Sequence, residues 1–127
     1  EIASGIKNTV VWKFSKYAFD NCAECLGYYQ NAQFVLSMRG HGQIVPIAFN
    51  TPVISLENHP KHAGLMKKLG LDDYNVSLNT SNFAHELMSK IKHLEQSKDV
   101  YVEKLKLINN VLSTESKKAF EEIKKSI

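Results

Sequence analysis

Short apolar runs alternate along the chain with longer segments in which apolar residues recur every three or four positions. The short runs are rich in β-branched and aromatic residues, which is typical of strands, whereas the longer spacing is typical of helices. The short runs predict strands at residues 9–14, 34–38, 53–56 and 74–78. The longer segments predict helices at residues 19–30, 41–49, 60–69 and 82–96.

The repeated order of strand and helix predicts an α/β fold. Short helices between successive strands are typical of right-handed crossovers, which place the strands parallel in one sheet. We therefore expect a four-stranded parallel sheet. Residues 34–38 are mostly apolar, so we expect this strand to be buried on both faces.

Prolines and glycines predict where the helices begin and end. Pro60 is expected at the first position of its helix, with Asn58 or His59 as the cap. Gly70 is expected just past the end of that helix, where a left-handed backbone conformation is common. Pro46 is expected near the first turn of the second predicted helix, because proline is tolerated there.

The last part of the chain carries two apolar stripes on a background rich in lysine and glutamate. The spacing of the stripes predicts one long or two shorter amphipathic helices. We expect residues 98–127 to form a helical extension that packs on the α/β domain of residues 1–97 or on a partner, because so many large apolar side chains are unfavourable in water. The stripes consist of Tyr101, Leu105, Ile108 and Leu112, and of Ala119, Phe120, Ile123 and Ile127.

The composition fits one soluble globular domain. Of the 127 residues, 43% are apolar and 23% are charged, and no apolar run is long enough to span a membrane. The net charge of +3 is too small to indicate nucleic acid without a clustered basic face, so we expect no nucleic-acid partner. Residues 1–7 carry no signal-peptide pattern, and we expect a cytoplasmic protein. The chain begins with Glu1 rather than Met, so we expect a fragment or a processed form.

Two junctions between a strand and a helix carry the candidate chemistry: residues 38–43 and residues 57–62. In an open parallel sheet, ligands bind beyond the carboxyl ends of the strands, where helix N-termini attract anions. If the two strands are neighbours, both turns face one crevice, and Gly40 and Gly42 let the backbone come close to a ligand. We therefore predict a small site for phosphate plus carboxylate. Its candidate side chains are Arg39, His41, His59, Lys61 and His62.

Arg39 is distinctive because it is the only arginine among 16 basic residues. Arginine binds a carboxylate or a phosphate at two points, whereas lysine offers a single point charge. Simpler structural roles stay open, since a histidine at a helix start can cap the helix and a lysine in a first turn can be solvated. These simpler roles have more weight for His59, Lys61 and His62 than for Arg39 and His41.

Two weaker motifs are present. The histidines of the two turns, together with Glu57, have a spacing that only weakly indicates a metal, and we expect no bound metal and no cofactor. Cys22 and Cys25 form a CxxC pair, but no second pair completes a zinc site, and a redox role needs the pair just after a strand. We interpret the two cysteines as small buried side chains inside a helix.

Residues 34–71, FVLSMRGHGQIVPIAFNTPVISLENHPKHAGLMKKLGL, resemble the carboxyl-terminal domain of the polysaccharide pyruvyl transferases. The shared features are a strand that ends in Arg-x-His, a helix of small residues, a Pro-Val-Ile-Ser-Leu strand, a turn with a lysine, and a helix that closes at Leu-Gly-Leu. The resemblance implies a three-layer, Rossmann-like domain with a parallel sheet, similar to one half of a glycosyltransferase B type fold. The apolar stripes add C-terminal amphipathic helices to this domain.

That family transfers an enolpyruvyl unit from phosphoenolpyruvate to a sugar hydroxyl and leaves a pyruvate ketal, as in exopolysaccharide biosynthesis. The resemblance implies that Arg39 grips the carboxylate or phosphate of the donor and that His41 is the proton donor or a phosphate ligand. It implies that Lys61 assists in binding the anion. It also implies an amino-terminal domain, or a second chain, that supplies the saccharide site, so activity of this chain alone stays open.

Two other hypotheses stay open. The chain can be half of a nucleotide-sugar glycosyltransferase or epimerase, for which Glu57 is the only well-placed carboxylate to hold a ribose. It can also be a non-catalytic module that binds a partner through its helical tail. Titration with phosphoenolpyruvate and with a nucleotide sugar separates the three hypotheses.

Overall fold

The structure is a computed structural model that describes residues 22–126. The predicted strand at 9–14 and the first residues of the predicted helix at 19–30 lie outside this part of the chain. The described elements, in chain order, are helix α1 (Cys22–Asn31), strand β1 (Val35–Ser37), helix α2 (Gly40–Ala48), strand β2 (Val53–Glu57), helix α3 (Pro60–Lys68), a 3-10 turn (Asp72–Tyr74), strand β3 (Asn75–Ser77) and helix α4 (Phe83–Ser126).

The three described strands form one parallel sheet in the order β1-β2-β3. Ser37 pairs with Ser55, and Ser55 pairs in turn with Asn75, so the three strands are aligned in one register. The prediction of an α/β fold with a parallel sheet is confirmed for this region. Strand β2 lies in the centre of the sheet, and its residues Val53 and Ile54 are fully buried.

The prediction that residues 34–38 are buried on both faces is wrong. Leu36 is 43% exposed, and Met38, which lies outside β1, is exposed as well. Among the described strands β1 has only β2 as a neighbour, so it lacks the cover that two flanking strands give β2. Its side chains are therefore less protected than an apolar run alone indicates.

The core lies between the sheet and helices α2, α3 and α4. Each of these helices contributes at least one buried apolar side chain to a single cluster with β2 and β3. Helix α4 is also tied to β2 by a buried hydrogen bond, in which the hydroxyl of Tyr101 donates to the carbonyl oxygen of Val53 at 2.8 Å. The buried apolar residues are Ile47, Val53, Ile54, Met66, Leu71, Tyr74, Val76, Leu94, Tyr101 and Leu105.

Helix α4 has 44 residues and one kink, at Ser97, where φ is −119° and ψ is 19°. The hydroxyl of Ser97 donates to the carbonyl of His93 at 2.7 Å and lies 3.1 Å from the Tyr74 hydroxyl. A serine that bonds back to the preceding turn bends a helix. The kink therefore separates two helical segments, and the prediction that the tail is helical is confirmed up to Ser126.

The two apolar stripes of the tail have different environments. Tyr101 and Leu105 of the first stripe are buried against the sheet, as predicted. In the second stripe Phe120 is 67% exposed and Ile123 is also exposed, so these side chains do not pack on the described part of the domain, and their packing on a partner stays a prediction. Helical spacing shows that a face is apolar, but α4 extends beyond the sheet that would cover that face.

The ends of α3 agree with the sequence signals. The Nδ1 atom of His59 accepts the backbone N–H of Lys61 at 3.2 Å, which confirms His59 as the cap. Gly70 has φ of +65° and follows the helix, as predicted. Helix α2 begins at Gly40, one residue earlier than expected, and Pro46 lies near its end. The expectation that Pro46 is in the first turn is therefore wrong.

Candidate functional site

A surface cleft with a volume of about 640 Å³ lies where β1 and β2 end and where α2 and α3 begin. Because β1 and β2 are neighbours in the sheet, the turn after each strand borders the same cleft. Four exposed basic side chains and one buried histidine face it, with apolar side chains between them. The cleft is lined by Met38, Arg39, Gly40, His41, Gln43, Ile44, Asn58, His59, Lys61, His62 and Leu65.

The turn that carries Arg39 is held by the last residue of β1. The hydroxyl of Ser37 accepts the backbone N–H of Arg39 at 3.2 Å and donates to the Arg39 carbonyl at 3.0 Å. Gly42 packs directly on this hydroxyl, and a Cβ atom at Gly42 would clash with it. Gly42 is not among the residues that line the cleft. Its lack of a side chain instead preserves the Ser37 contacts that fix the Arg39 backbone.

The two helix N-termini at the cleft differ in the donors that they offer. No side chain caps α2, so the N–H groups of Gly40 and His41 have no protein partner within residues 22–126. In α3, Pro60 has no N–H group, and His59 accepts the N–H groups of both Lys61 and His62. The N-terminus of α2 therefore presents unpaired backbone donors, whereas the first residues of α3 do not.

The cap also fixes the tautomer of His59. Since Nδ1 accepts a hydrogen bond from Lys61, a neutral His59 carries its proton on Nε2. The ring of His62 lies beside it, with 6.3 Å between the ring centroids. The imidazole of His59 therefore has a donor left for a ligand in the cleft.

Two buried polar side chains at the cleft have an atom without a partner among the described residues. His62 is 5% exposed, and its Nδ1 atom has no hydrogen bond. Gln43 is fully buried, and its Oε1 atom has none, while its Nε2 atom lies 2.7 Å from the Ser55 hydroxyl. Buried polar atoms are nearly always paired, so such orphans point to a ligand or to water. The sequence carries no signal of a role for Gln43, because its partner Ser55 is twelve positions away.

The charge on the cleft is of one sign. Arg39 and Lys61 supply two formal positive charges, and within residues 22–126 no aspartate or glutamate lines the cleft. Glu57 lies at the end of β2, but its Oε2 accepts a hydrogen bond from Nδ2 of Asn75 at 2.7 Å. The N-terminus of α2 adds about half a positive charge. The arrangement is suited to a small polyanion.

The CxxC pair lies in α1, away from this cleft. Both cysteines belong to one helix, as expected, but Cys22 is exposed and Cys25 is half-buried. The interpretation of the pair as buried side chains is therefore wrong. In residues 22–126 no three side chains of His, Cys, Asp or Glu lie close enough to bind a metal ion. None of the helices in the same region has the length and apolarity of a membrane span.

Part of the chain matches a known protein family. The family model of the polysaccharide pyruvyl transferases matches residues 12–60, which confirms the resemblance over this part of the chain. The matched region includes β1, α2 and β2, and hence Arg39 and His41, but it ends one residue before Lys61. No curated protein and no solved structure matches the chain.

Proposed function

We propose that this chain is the donor-binding part of a polysaccharide pyruvyl transferase. It binds phosphoenolpyruvate in the cleft between α2 and α3 and takes part in transferring the enolpyruvyl unit to a saccharide. The observation that carries the proposal is the cationic cleft at the uncapped N-terminus of α2, which no acidic side chain of the described residues lines. Arg39 and His41 lie in that cleft and within the segment that matches the family model.

The electrostatics support a donor of this kind. Phosphoenolpyruvate carries a phosphate and a carboxylate, and the cleft offers Arg39, Lys61 and the free backbone donors of Gly40 and His41. Arg39 binds one of the two anionic groups at two points. Lys61 and His59 contact the other group from the opposite wall. Gly40 keeps the backbone open to the ligand, and Gly42 acts indirectly by preserving the turn.

The reaction requires one proton transfer to carbon, and His41 is assigned to it. The methylene carbon of the donor takes a proton and becomes a methyl group, which leaves a cation at the neighbouring carbon. Two hydroxyls of the saccharide attack that carbon, the bond to the phosphate oxygen breaks, and inorganic phosphate leaves. Of the two hydroxyl protons released, one restores the proton that His41 gave up and the other passes to the departing phosphate. Histidine exchanges protons near neutral pH, which suits a general acid, and the cationic cleft stabilises the departing phosphate.

The proposal includes a larger assembly. Residues 1–97 form a Rossmann-like, three-layer domain similar to one half of a glycosyltransferase B type fold, and residues 98–127 form the helical extension. The kink at Ser97 coincides with this boundary. The proposal includes an amino-terminal domain or a second chain that supplies the saccharide site, as the family resemblance implies. The proposal also includes a cytoplasmic location and a role in exopolysaccharide synthesis.

The nucleotide-sugar hypothesis has less support. It needs a carboxylate that holds a ribose, and Glu57 was the candidate. Glu57 is bonded to Asn75 and does not line the cleft. The alternative of an interaction module rests on the exposed apolar residues of α4, which do not explain a cationic cleft elsewhere on the surface.

Two substitutions separate the roles of the central pair. Arg39→Lys keeps the charge but loses the two-point grip, so we expect donor affinity to fall about tenfold or more. His41→Gln should leave donor binding nearly intact and lower turnover about a hundredfold, measured in a protein that carries both halves. His85→Gln, at an exposed position on α4, is the matched control and should change neither quantity.

Two results would change this assignment. If His41→Gln abolishes donor binding while turnover per bound donor is unchanged, His41 is a ligand and not the acid. If neither Arg39→Lys nor His41→Gln has an effect, the cleft is not the donor site.

A further inference from the structure

Gln43 is the fourth residue of α2, and it lies at the wall of the cleft. Its side chain is fully buried, and its amide has one contact, 2.7 Å from Nε2 to the Ser55 hydroxyl. The Oε1 atom has no partner in the described part of the chain. A fully buried amide that is only half paired is unfavourable, so we expect an occupied cleft to complete its hydrogen bonds.

The hydroxyl of Ser55 is also buried with only part of its hydrogen-bonding capacity used. Ser55 is fully buried in the middle of β2, and Gln43 is its only side-chain partner within residues 22–126. With Nε2 as the donor, the hydroxyl hydrogen of Ser55 has no acceptor and Oε1 has no donor. A half turn of the amide about its last torsion solves both problems, because the Ser55 hydroxyl then donates to Oε1. The separation of 2.7 Å is typical of an O–H···O hydrogen bond.

In that orientation Nε2 of Gln43 takes the unpaired position, with hydrogens to donate. We propose that Gln43 is a substrate-binding residue that donates a hydrogen bond from Nε2 to an oxygen of the bound donor anion, and that Ser55 is its positioning residue. The inference rests on the proposed function, because it takes the cleft to be the anion site.

The surroundings favour a donor rather than an acceptor at this point. Arg39, Lys61 and the free N–H groups of α2 converge on the same cleft, and no acidic side chain in the described part of the chain lines it. An acceptor facing a phosphate or carboxylate would repel it. A neutral amide orients an anion without the desolvation cost of another buried charge. His62, with its own unpaired buried nitrogen, lies on the same cleft and independently indicates a polar ligand.

The test combines calorimetry with side-chain NMR on the whole chain, with phosphoenolpyruvate and then inorganic phosphate as probes. Gln43→Met removes the hydrogen bond and keeps the approximate size of the side chain, and we expect about tenfold weaker binding. Gln43→Glu keeps an acceptor but adds a negative charge, and we expect about hundredfold weaker binding. Gln96→Glu makes the same charge change at an exposed position on α4, and affinity should stay within twofold of the wild type, roughly the scatter of distant substitutions.

The NMR signals test the contact directly. The side-chain NH₂ signals of Gln43 are identified by their loss in Gln43→Met. As ligand is added, these signals should shift until the site is saturated, and the affinity from the shifts should equal the calorimetric affinity. Ser55→Ala should weaken binding severalfold and broaden these signals, since a positioning residue acts through the amide. If Gln43→Glu does not fold, the wild-type shifts and the Gln43→Met affinity decide the question.

Three outcomes overturn the inference in different ways. In the first outcome the wild type binds the probes, Gln43→Met binds them with the same affinity, and the NH₂ signals of Gln43 do not move. Gln43 is then not part of the site, and the proposed function stands. Weak binding by Gln43→Met together with wild-type affinity in Gln43→Glu makes Gln43 an acceptor and refutes the donor assignment. No binding of either probe to the wild type refutes the proposed function itself, and this inference with it.

Discussion

Replacement of Tyr101 by phenylalanine tests how α4 is fastened to the sheet that carries the cleft. The Tyr101 ring is buried and stacks on Tyr74, with 4.1 Å between the ring centroids. Its hydroxyl donates to the Val53 carbonyl at 2.8 Å and accepts the Val53 N–H at 3.4 Å. Phenylalanine keeps the ring and the stacking, so the substitution removes only the hydroxyl and its hydrogen bonds.

The expected loss of unfolding free energy is about 1–3 kcal/mol at pH 7, because a buried carbonyl loses its donor and cannot reach water. Urea denaturation followed by circular dichroism measures this loss, and the melting temperature should fall by several degrees. Tyr28→Phe is the matched control. The Tyr28 hydroxyl is exposed and lies 3.3 Å from Glu24, so its removal should cost less than about 0.5 kcal/mol.

The pH dependence of the unfolding free energy gives a second, independent test of this hydrogen bond. Burial raises the pKa of Tyr101 well above its ordinary value of 10, and the hydrogen bond to Val53 offsets only part of this effect. Above pH 10 the unfolded chain therefore loses the Tyr101 proton while the folded chain retains it. The stability that depends on this proton is fully present below pH 10 and is lost as the pH rises further. The phenylalanine variant has no such proton.

The gap in unfolding free energy between wild type and Tyr101→Phe should therefore narrow by about 1.4 kcal/mol between pH 8 and pH 11. Side chains that do not contact Tyr101 are the same in both proteins, so their contributions to the pH dependence of stability cancel in the difference. Equal stability at pH 7, or a gap that stays constant up to pH 11, would refute the buried hydrogen bond and the packing of α4 on β2.

Two further pairs of substitutions test the packing around the cleft. Leu105→Ala should lower the unfolding free energy by about 2–5 kcal/mol in urea denaturation because the side chain is fully buried. Leu107→Ala, two positions along at an exposed site, should change it by less than about 0.5 kcal/mol. Similar losses for both variants would contradict the assigned face of α4. Gly42→Ala should displace the Ser37 hydroxyl and weaken phosphoenolpyruvate binding about tenfold in calorimetry, a loss typical of a disturbed charge-assisted hydrogen bond. Gly64→Ala, in α3 with open space around it, should leave affinity unchanged and raise stability by up to about 1 kcal/mol; equal affinity in both alanine variants would show that the Arg39 turn does not need Gly42.

Local signals in the sequence predict the elements and the two turns at the cleft. Pro60, His59 and Gly70 fix the ends of α3 because each acts on the backbone within a few residues of itself. The alternation of strands and helices predicts the parallel sheet for a similar reason, since a short crossover leaves few other connections. The placement of Arg39 and Lys61 on one cleft then follows from the neighbouring positions of β1 and β2.

Features that depend on long-range register could not be predicted in this way. Gln43 meets Ser55 because α2 packs over β2, and neither residue type carries a signal of that contact. The exposure of Phe120 depends on how far α4 extends beyond the sheet, which periodicity does not encode. The first donors of α3 are used by His59 alone, an arrangement that appears only when the cap geometry is known.

Calorimetric titration of the wild-type chain with phosphoenolpyruvate tests the central claim most directly, with a nucleotide sugar as the competing ligand. The cationic cleft predicts saturable binding of one phosphoenolpyruvate per chain, weaker at high salt because the contacts are partly exposed ion pairs. It predicts no comparable binding of the nucleotide sugar, since none of the carboxylates in residues 22–126 lines the cleft to hold a ribose. An absence of heat with phosphoenolpyruvate, or tighter binding of the nucleotide sugar, would contradict the assignment of this cleft as a pyruvyl-donor site.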